Sequence, residues 1–268
     1  MYFEKWQALG NHFVLVFDPV DESALERAAA RLCDRYTGVG ADGILVVRTG
    51  EQPSMRVLNA DGSYSEMCGN GIRCVVGALA ERRVSRRGHV LLQTGAGAKH
   101  CAYEGGAGMW QVTVDMGVPS FRPEEAGFTD DLLPLHGVST AIGAGHVASV
   151  GNPHWVFFGA DAALAPEWGP RLETDVRFAR RTNVEFVKQH GPAHLSVVVW
   201  ERGVGFTQAC GSGAVCVTAL AVATGRVPVA TPIRVDLPGG ALTCEVLDSG
   251  SVLMSGPAAR VFVGTLAL

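Results

Sequence analysis

The periodicity of apolar residues predicts three helices. Residues 21–35 repeat apolar side chains at spacings of three and four, and Asp21 at their start can cap the first turn. Residues 69–82 and 211–224 are instead apolar around most of the helix circumference, which is typical of central helices enclosed by other structure. The pattern therefore predicts one surface helix and two interior helices.

Most of the remaining chain alternates short β-branched runs with turn residues, a pattern that predicts strands. The 34 glycines fit the many tight turns that such strands need. These signals favour an α+β fold with two pseudo-symmetric lobes, each a mainly antiparallel barrel-like β-sheet around a central helix. The predicted strands include 13–17, 89–93, 110–115, 195–200, 233–237, 242–246 and a closing strand at 259–263.

A duplication supports the two lobes. The pattern Cys-Gly-x-Gly-x-x-Cys occurs at residues 68–74 and again 142 residues later, at 210–216. Other landmarks recur in the same order, namely Asn59 with Glu201 and Gly10-Asn11 with Gly151-Asn152. Ordered self-similarity at nearly one spacing indicates a repeated domain. We expect a first lobe at 1–117, completed by 258–268, a second lobe at 118–257, and an active site in the cleft between them.

Composition and charge exclude several classes of protein. With 268 residues, 47% hydrophobic and 18% charged, the chain is typical of two compact domains of ordinary size. The formal net charge is −4 and no basic stripe is present, which argues against a nucleic-acid partner. No apolar run reaches the length of a membrane span, and the first residues lack a secretion signal. We expect a cytoplasmic protein without a membrane partner.

Two of the seven cysteines occupy chemically distinctive positions. Cys68 and Cys210 each precede a Gly-x-Gly turn that opens a predicted helix, where backbone N–H groups and the helix dipole stabilise a thiolate. A thiolate and a thiol on opposite sides of a carbon can remove a proton from one face and deliver one to the other. Cys74 and Cys216 are expected to be buried packing residues. The cysteine spacing matches no common zinc motif, so no metal is expected.

The cysteines belong to an ordered set of motifs that resembles the diaminopimelate epimerase family over essentially the whole chain. In the first half the motifs are Lys5 with Leu9-Gly10-Asn11-His12-Phe13, Thr37-Gly38-Val39-Gly40-Ala41-Asp42-Gly43, Asn59-Ala60-Asp61-Gly62-Ser63 and Glu66-Met67-Cys68-Gly69-Asn70-Gly71-Ile72-Arg73-Cys74. In the second half they are Gly151-Asn152-Pro153-His154, Arg181-Thr182-Asn183-Val184-Glu185-Phe186, Glu201-Arg202-Gly203-Val204-Gly205 and Ala209-Cys210-Gly211-Ser212-Gly213. Any one motif is weak, but the ordered set is specific.

The resemblance implies an isomerase that interconverts LL- and meso-2,6-diaminopimelate by a two-cysteine proton transfer, for lysine and peptidoglycan-precursor biosynthesis. It implies no cofactor and a small-molecule substrate as the partner, and it leaves a homodimer open. The implied catalytic residues are Cys68 and Cys210, with His154 and Glu201 assisting them. The implied substrate-binding residues are Asn11, Asn59, Gly69, Asn70, Asn152, Asn183, Glu201, Arg202, Gly211 and Ser212.

The resemblance implies that different residues of this set bind the two ends of the substrate. Backbone N–H groups at the starts of the two central helices would hold the α-carboxylate, while Arg202 and three asparagines would hold the distal end. Three positions depart from the family pattern: His12 replaces the usual Asp, Phe206 the usual Glu, and Gly43 the Gln of some members. None is a catalytic position, so we expect altered packing rather than lost chemistry.

Three other classes of protein could also carry paired thiols. A proline or hydroxyproline racemase, or a phenazine-pathway isomerase, would use related chemistry on another substrate, but Glu201, Arg202 and the asparagines favour a long diamino-dicarboxylate. A dithiol redox protein usually has its cysteines close in sequence, whereas Cys68 and Cys210 are 142 residues apart. A non-enzymatic binding or interaction domain would have no use for paired thiols.

Overall fold

The computed structural model describes residues 1–19 and 21–265, and the chain divides into two compact units. The first lobe comprises Met1–Val114 and the chain from Ser255 onward, and the second lobe comprises Asp115–Met254. Each lobe contains one copy of the cysteine motif and the helix that follows it. No helix in the described part of the chain is long and apolar enough to cross a membrane.

The first lobe is a closed β-barrel. Its elements are β1 (Tyr2–Ala8), β2 (Asn11–Phe17), α1 (Glu22–Cys33), β3 (Gly43–Arg48), β4 (Ser54–Asn59), β5 (Tyr64–Ser65), α2 (Gly69–Glu81), β6 (Arg87–Thr94), β7 (Gly97–Gly106), β8 (Met109–Asp115) and most of β17 (Val252–Thr265). Neighbouring strands are antiparallel except for the parallel pairs β2–β3 and β4–β6. The barrel closes because β17 pairs with both β1 and β8.

The central helix α2 is buried along nearly its whole length, from Gly69 to Ala80. It contacts strands on several sides of the barrel, including β1, β3 and β7. Gly77 lets Trp6 approach the helix closely, since a Cβ there would lie 2.9 Å from the Trp6 ring. A helix that is apolar around most of its circumference is thus explained by a sheet that surrounds it.

The outer helix α1 has the polarity expected for a surface element. Asp21 caps it by accepting a hydrogen bond of 3.0 Å from the Ala24 N–H. Its apolar stripe buries Leu25, Ala29 and Leu32 against the first lobe's sheet. The predicted helix at 21–35 is therefore confirmed, with an end two residues earlier.

The second lobe repeats this architecture. Its elements are β9 (Val138–Thr140), β10 (Gly143–Ser149), β11 (Pro153–Phe158), α3 (Ala165–Glu173), β12 (Asn183–Gly191), β13 (His194–Glu201), β14 (Gly205–Phe206), α4 (Gly211–Ala223), β15 (Ile233–Leu237) and β16 (Gly240–Val246), with short 3-10 turns at Pro123–Ala126 and Ala162–Leu164. The parallel pair β11–β12 corresponds to β2–β3, and the other pairs are antiparallel except β13–β15. The helix α4 is buried from Gly211 to Ala221. The predicted fold class is confirmed.

Helix α3 has no counterpart in the predicted elements. Pro170 and Gly169 within it are helix-breaking residues, so the sequence does not indicate a helix there. Tertiary contacts stabilise it instead. Gly169 lies against the ring of Trp200, and the Trp200 indole N–H donates to the Glu173 carboxylate at 3.0 Å.

Candidate active site

Cys68 forms the N-cap of α2 in the first lobe. Its backbone is extended and its Sγ accepts a hydrogen bond of 3.4 Å from the Gly71 N–H. Gly71 cannot carry a side chain without disturbance, because a Cβ there would lie 3.1 Å from Leu45 and 3.4 Å from Cys68. The Gly-x-Gly turn thus brings the first backbone N–H groups of the helix to the sulfur.

Cys210 forms the same N-cap on α4 in the second lobe. Its Sγ accepts from the Gly213 N–H, again at 3.4 Å, and lies 3.5 Å from the Ser212 hydroxyl. The residue is 6% exposed, whereas Cys68 is half-buried. The duplicated sequence motif therefore folds into a duplicated thiol site, with a more enclosed sulfur in the second lobe.

A chain of polar side chains leads away from Cys68. Its Sγ lies 4.0 Å from Asn11 Oδ1, and this oxygen also accepts from the Asn70 amide at 3.2 Å. The Asn11 amide donates to Asp42 at 2.6 Å. On the other side, the fully buried Arg73 donates to Asn70 Oδ1 at 2.7 Å. Asp42 and Arg73 thus fix both asparagines beside the thiol.

His154 and Glu201 both lie in the second lobe with Cys210. His154 is completely buried, and its Nδ1 is 2.6 Å from the equally buried Glu185 carboxylate. Glu201 accepts hydrogen bonds from the Thr207 hydroxyl at 2.5 Å and from the Cys210 thiol. Burial raises the pKa of Glu201, and its two hydrogen bonds oppose that shift. The structure therefore brings two carboxylates to the second thiol, and one of them, Glu185, is bonded to the His154 imidazole.

The Cys210 thiol is held in its protonated form. Burial is the largest cause, and it raises the pKa of Cys210 well above the ordinary value for a thiol. The carboxylates of Glu201 and Glu185 raise it further, whereas hydrogen bonds from Ser212 and Gly213 lower it. The sequence predicted that each helix N-terminus stabilises a thiolate. At Cys210 that stabilisation is present but is outweighed by burial and negative charge.

The expected substrate-binding asparagines differ in how firmly they are held. Asn183 is engaged at both ends of its amide, donating to Pro153 O at 2.8 Å and accepting from the Arg202 N–H at 2.9 Å. Asn152 donates to Ser212 at 3.3 Å, while its buried Oδ1 has no partner among the described residues. Asn59 bonds to Ser63 at 2.9 Å.

Asn183 thus fixes the turn that carries Arg202. The Arg202 guanidinium is exposed, and the hydrogen bond described for it is to the backbone oxygen of Arg180, at 3.2 Å. The Arg202 side chain thus extends from a turn that is fixed by the buried Asn183 amide, and among the described residues no carboxylate pairs with its guanidinium. The anchoring of that turn was missed in the sequence, which places Asn183 and Arg202 in separate motifs.

Three residues near the thiols are not among the site residues predicted from the sequence. Asp42, Arg73 and Glu185 each stand inside a motif that points to the family, but none was assigned a role. Their signal is a charged residue within an apolar, buried segment, as in Asn183–Gly191, where Glu185 lies between Val184 and Phe186. A buried charge requires a partner, which makes such a position a functional candidate.

His12 lies between a lysine and an aspartate. Lys5 Nζ lies 2.9 Å from His12 Nδ1, and His12 Nε2 is 3.9 Å from Asp42. Burial lowers the pKa of both Lys5 and His12, and the nearby cation Arg35 lowers both further, while Asp42 opposes the shift. Because the lysine donates to Nδ1, a neutral imidazole suits this position best. Phe206 packs edge-on against Trp200 with ring centroids 5.0 Å apart.

The comparisons with known proteins agree with this geometry. A sequence profile of the diaminopimelate epimerase family matches residues 3–122 and 146–261. A diaminopimelate epimerase of Desulforudis audaxviator is 42% identical over 280 residues, covering 98% of this chain and 98% of the relative. One from Synechococcus elongatus is 39% identical and covers 100% of this chain and 99% of the relative. The chain belongs to the diaminopimelate epimerase family. The predicted family and the predicted amino-acid epimerase activity are confirmed.

Several solved structures share the fold of this chain at low sequence identity. A hydroxyproline epimerase from Agrobacterium vitis superposes with a TM-score of 0.70 at 15% identity, covering 98% of this chain and 91% of that one. A phenazine biosynthesis protein from Bacillus anthracis gives a TM-score of 0.72 at 14% identity, covering 100% and 99%. At such low identity these similarities describe the fold alone.

The half-buried contact between His12 and Lys5 predicts that the stability of the protein depends on pH. A histidine whose pKa is lowered by folding stabilises the native state fully above its unfolded pKa of about 6.5, and the contribution is lost as the pH falls through the lower folded value. His12→Asp should therefore flatten the decline in unfolding free energy between pH 7.5 and 5.5, measured by urea denaturation.

The matched control is His136→Asp, at an exposed histidine. This variant should keep the wild-type decline. Equal slopes for the wild type and His12→Asp would show that the Lys5 contact does not disfavour the charged imidazole.

Proposed function

We propose that the protein interconverts LL- and meso-2,6-diaminopimelate by proton transfer between Cys68 and Cys210, without a cofactor. The observation that carries this proposal is the identical capping of two helices by cysteine sulfurs, each 3.4 Å from the third backbone N–H beyond it. Within a family of epimerases, two equivalent thiols are explained by a reaction that needs one acid and one base on opposite faces of a carbon.

The starts of α2 and α4 are suited to holding the α-carboxylate. Loss of the α-proton places negative charge next to a carboxylate that is already charged, and this is the main barrier to the reaction. Backbone N–H groups of Gly69, Asn70, Gly211 and Ser212, supported by two helix dipoles, would oppose that charge in an enclosed site. Preorganised dipoles of this kind do the work that an electron-withdrawing cofactor does in other racemases.

The two thiols would exchange roles with the direction of reaction. In one direction the Cys68 thiolate takes the α-proton and the Cys210 thiol gives its proton to the opposite face, which leaves a Cys68 thiol and a Cys210 thiolate. The reverse direction starts from that second state. The high pKa of Cys210 in the resting protein supports its assignment as the first acid, and His154 and Glu201 would return the protons to their starting positions.

Specificity would reside at the distal end of the substrate, away from the proton transfer. Arg202 offers the planar pair of donors that grips a carboxylate in two places. The turn that carries Arg202 is fixed through Asn183, and Asn59 and Asn152 would contact the distal amine and carboxylate. A substrate charged at both ends therefore suits the site better than a small ring such as proline.

The biosynthetic role of the family, in lysine and peptidoglycan-precursor synthesis, supports a cytoplasmic location as part of this proposal. Each chain supplies both thiols, so the proposed chemistry is complete within one chain and does not depend on a homodimer. The partner that the chemistry requires is the small-molecule substrate.

Replacing either N-cap cysteine should abolish epimerisation. Cys68→Ala and Cys210→Ala each remove one member of the acid–base pair, so the rate of LL-to-meso conversion should fall by about 10³-fold or more, since positioned acid–base groups contribute about 10²–10⁴-fold each. Chiral chromatography of the product measures the change.

Cys74→Ala is the matched control, because Cys74 lies on the same helix and is fully buried. It should lower the melting temperature and keep most of the activity. Full turnover by either N-cap variant would contradict the two-thiol mechanism.

Arg202→Ala should separate substrate recognition from chemistry. In the proposed complex the distal carboxylate of the substrate covers the exposed Arg202 guanidinium, and truncating one partner of a desolvated ion pair costs about 2–5 kcal/mol, largely because the other charge is left unpaired. The variant should lose kcat/KM by orders of magnitude while both thiols remain intact, and free proline should be a very poor substrate of the wild type.

Arg171→Ala serves as the control, since its exposed ion pair with Glu167 contributes little. It should behave as the wild type does. Comparable turnover of proline and diaminopimelate would instead favour the racemase alternative.

A further inference from the structure

The two lobes place different side chains at one equivalent position beneath the cysteine caps. In the first lobe, a Cβ on Gly71 would lie 3.1 Å from the Leu45 side chain. In the second lobe, a Cβ on Gly213 would lie 2.8 Å from the Glu185 carboxylate. The second glycine of each Gly-x-Gly turn therefore rests on a leucine in one lobe and on a glutamate in the other.

The strand register confirms this equivalence. Phe13 on β2 is opposite Gly43 on the parallel strand β3, and Leu45 follows two residues later on the same face. His154 on β11 is opposite Asn183 on the parallel strand β12, and Glu185 again follows two residues later. The apolar pair Phe13 and Leu45 in the first lobe thus corresponds to the pair His154 and Glu185 in the second.

The comparison shows that the fold does not require the polar pair. Phe13 and Leu45 are buried in the first lobe, at 3% and 0% exposure, and there they support the same barrel and the same capped helix. His154 and Glu185 are both at 0% exposure, where desolvation of a charged pair commonly cancels its attraction. The polar pair is therefore better explained by function than by stability.

Two atoms of this pair are without hydrogen bonds among the described residues. His154 Nδ1 is engaged with Glu185 Oε1 at 2.6 Å, whereas His154 Nε2 and Glu185 Oε2 are buried and have no partner there. Buried polar atoms are almost always paired, so an unpaired ring nitrogen on a histidine bonded to the carboxylate beneath the Cys210 cap indicates a group kept ready to exchange a proton.

We propose that Glu185 is a positioning residue that holds His154 with Nδ1 protonated, so that Nε2 is the ring nitrogen that exchanges protons during epimerisation. A carboxylate can only accept a hydrogen bond, so the imidazole nitrogen that faces it must carry the proton. The inference rests on the proposed function, because Glu185 would act through His154, which is one of the proposed catalytic residues.

The negative charge of Glu185 also acts on the pKa of the Cys210 thiol. After burial and Glu201, it is the next cause that raises the pKa of the Cys210 thiol. The first lobe has Leu45 in the corresponding place and so lacks this negative charge. Glu185 thereby helps to make the two thiols unequal, with Cys210 protonated in the resting protein.

The tautomer of His154 tests the proposal without reference to activity. Long-range proton–nitrogen NMR of protein labelled with ¹⁵N-histidine, at pH 8 and with His154→Gln for assignment, should show a protonated Nδ1 in the wild type. In Glu185→Gln the signal should change to a mixture of tautomers, because an amide can present either an oxygen or an NH₂ group to the ring. An unprotonated Nδ1 in the wild type overturns the proposal.

Kinetics of the position-185 variants give the second test. Glu185→Gln should lower kcat by about 10- to 100-fold, the usual effect of losing a residue that orients a catalytic ligand or base, with KM unchanged. Glu185→Asp, which keeps a carboxylate, should recover part of that loss. A wild-type kcat in Glu185→Gln, a loss confined to KM, or an Asp variant no better than Gln would each overturn the proposal.

Two further variants separate this function from folding. The double variant His154→Phe/Glu185→Leu reproduces the first-lobe pair and should fold with a melting temperature at or above that of the wild type, yet be inactive. Glu81→Gln, at a carboxylate that accepts from Trp110 at 2.8 Å in the first lobe, should retain activity. A double variant that cannot fold would contradict the claim that the polar pair is dispensable for structure.

Failure of this inference can be told apart from failure of the proposed function. Absence of epimerisation by the wild-type protein would refute the function, whatever the tautomer of His154. An active wild type with the wrong tautomer, or with a fully active Glu185→Gln variant, would refute the role of Glu185 alone.

Discussion

The structure depends on one interaction that occurs twice, the capping of a buried helix by a cysteine sulfur. A helix start enclosed by a sheet leaves backbone N–H groups that must find acceptors. At α2 and α4 the acceptor is a thiol, and the second glycine of each turn, Gly71 or Gly213, leaves no room for a side chain without displacing Leu45 or Glu185. The barrel, the apolar helix and the Gly-x-Gly turn thus all act to hold a reactive sulfur at a positive helix end.

Duplication explains why two thiols exist, and divergence explains why they are unequal. The first lobe supports Cys68 with neutral amides, held in turn by Asp42 and Arg73. The second lobe encloses Cys210 more completely and surrounds it with Glu201 and Glu185. The proposed reaction needs an acid and a base at the start of each turnover, and the buried, negatively surrounded Cys210 is suited to be the acid.

Much of the fold could be predicted from the sequence, because the helices and the repeat leave signals in short stretches of the chain. The periodicity located α1, α2 and α4, the repeat identified two lobes, and Asp21 marked a helix start. Helix α3 could not be found, since its breakers Gly169 and Pro170 are offset by packing on Trp200, which is distant in sequence. Glu185 was overlooked for a similar reason. Its role is visible only through strand register, which aligns it with Leu45 and places it against His154.

The most direct test of the account is the fate of the α-proton in D₂O. Reduced protein is mixed with LL-diaminopimelate, and both stereoisomers are analysed by mass spectrometry in the first turnovers. Two thiols that have exchanged with solvent should give meso product carrying one deuterium from the outset, while the remaining LL substrate stays unlabelled. Meso product that retains the original proton, or label that enters LL substrate as fast as product, would contradict transfer between two separate thiols.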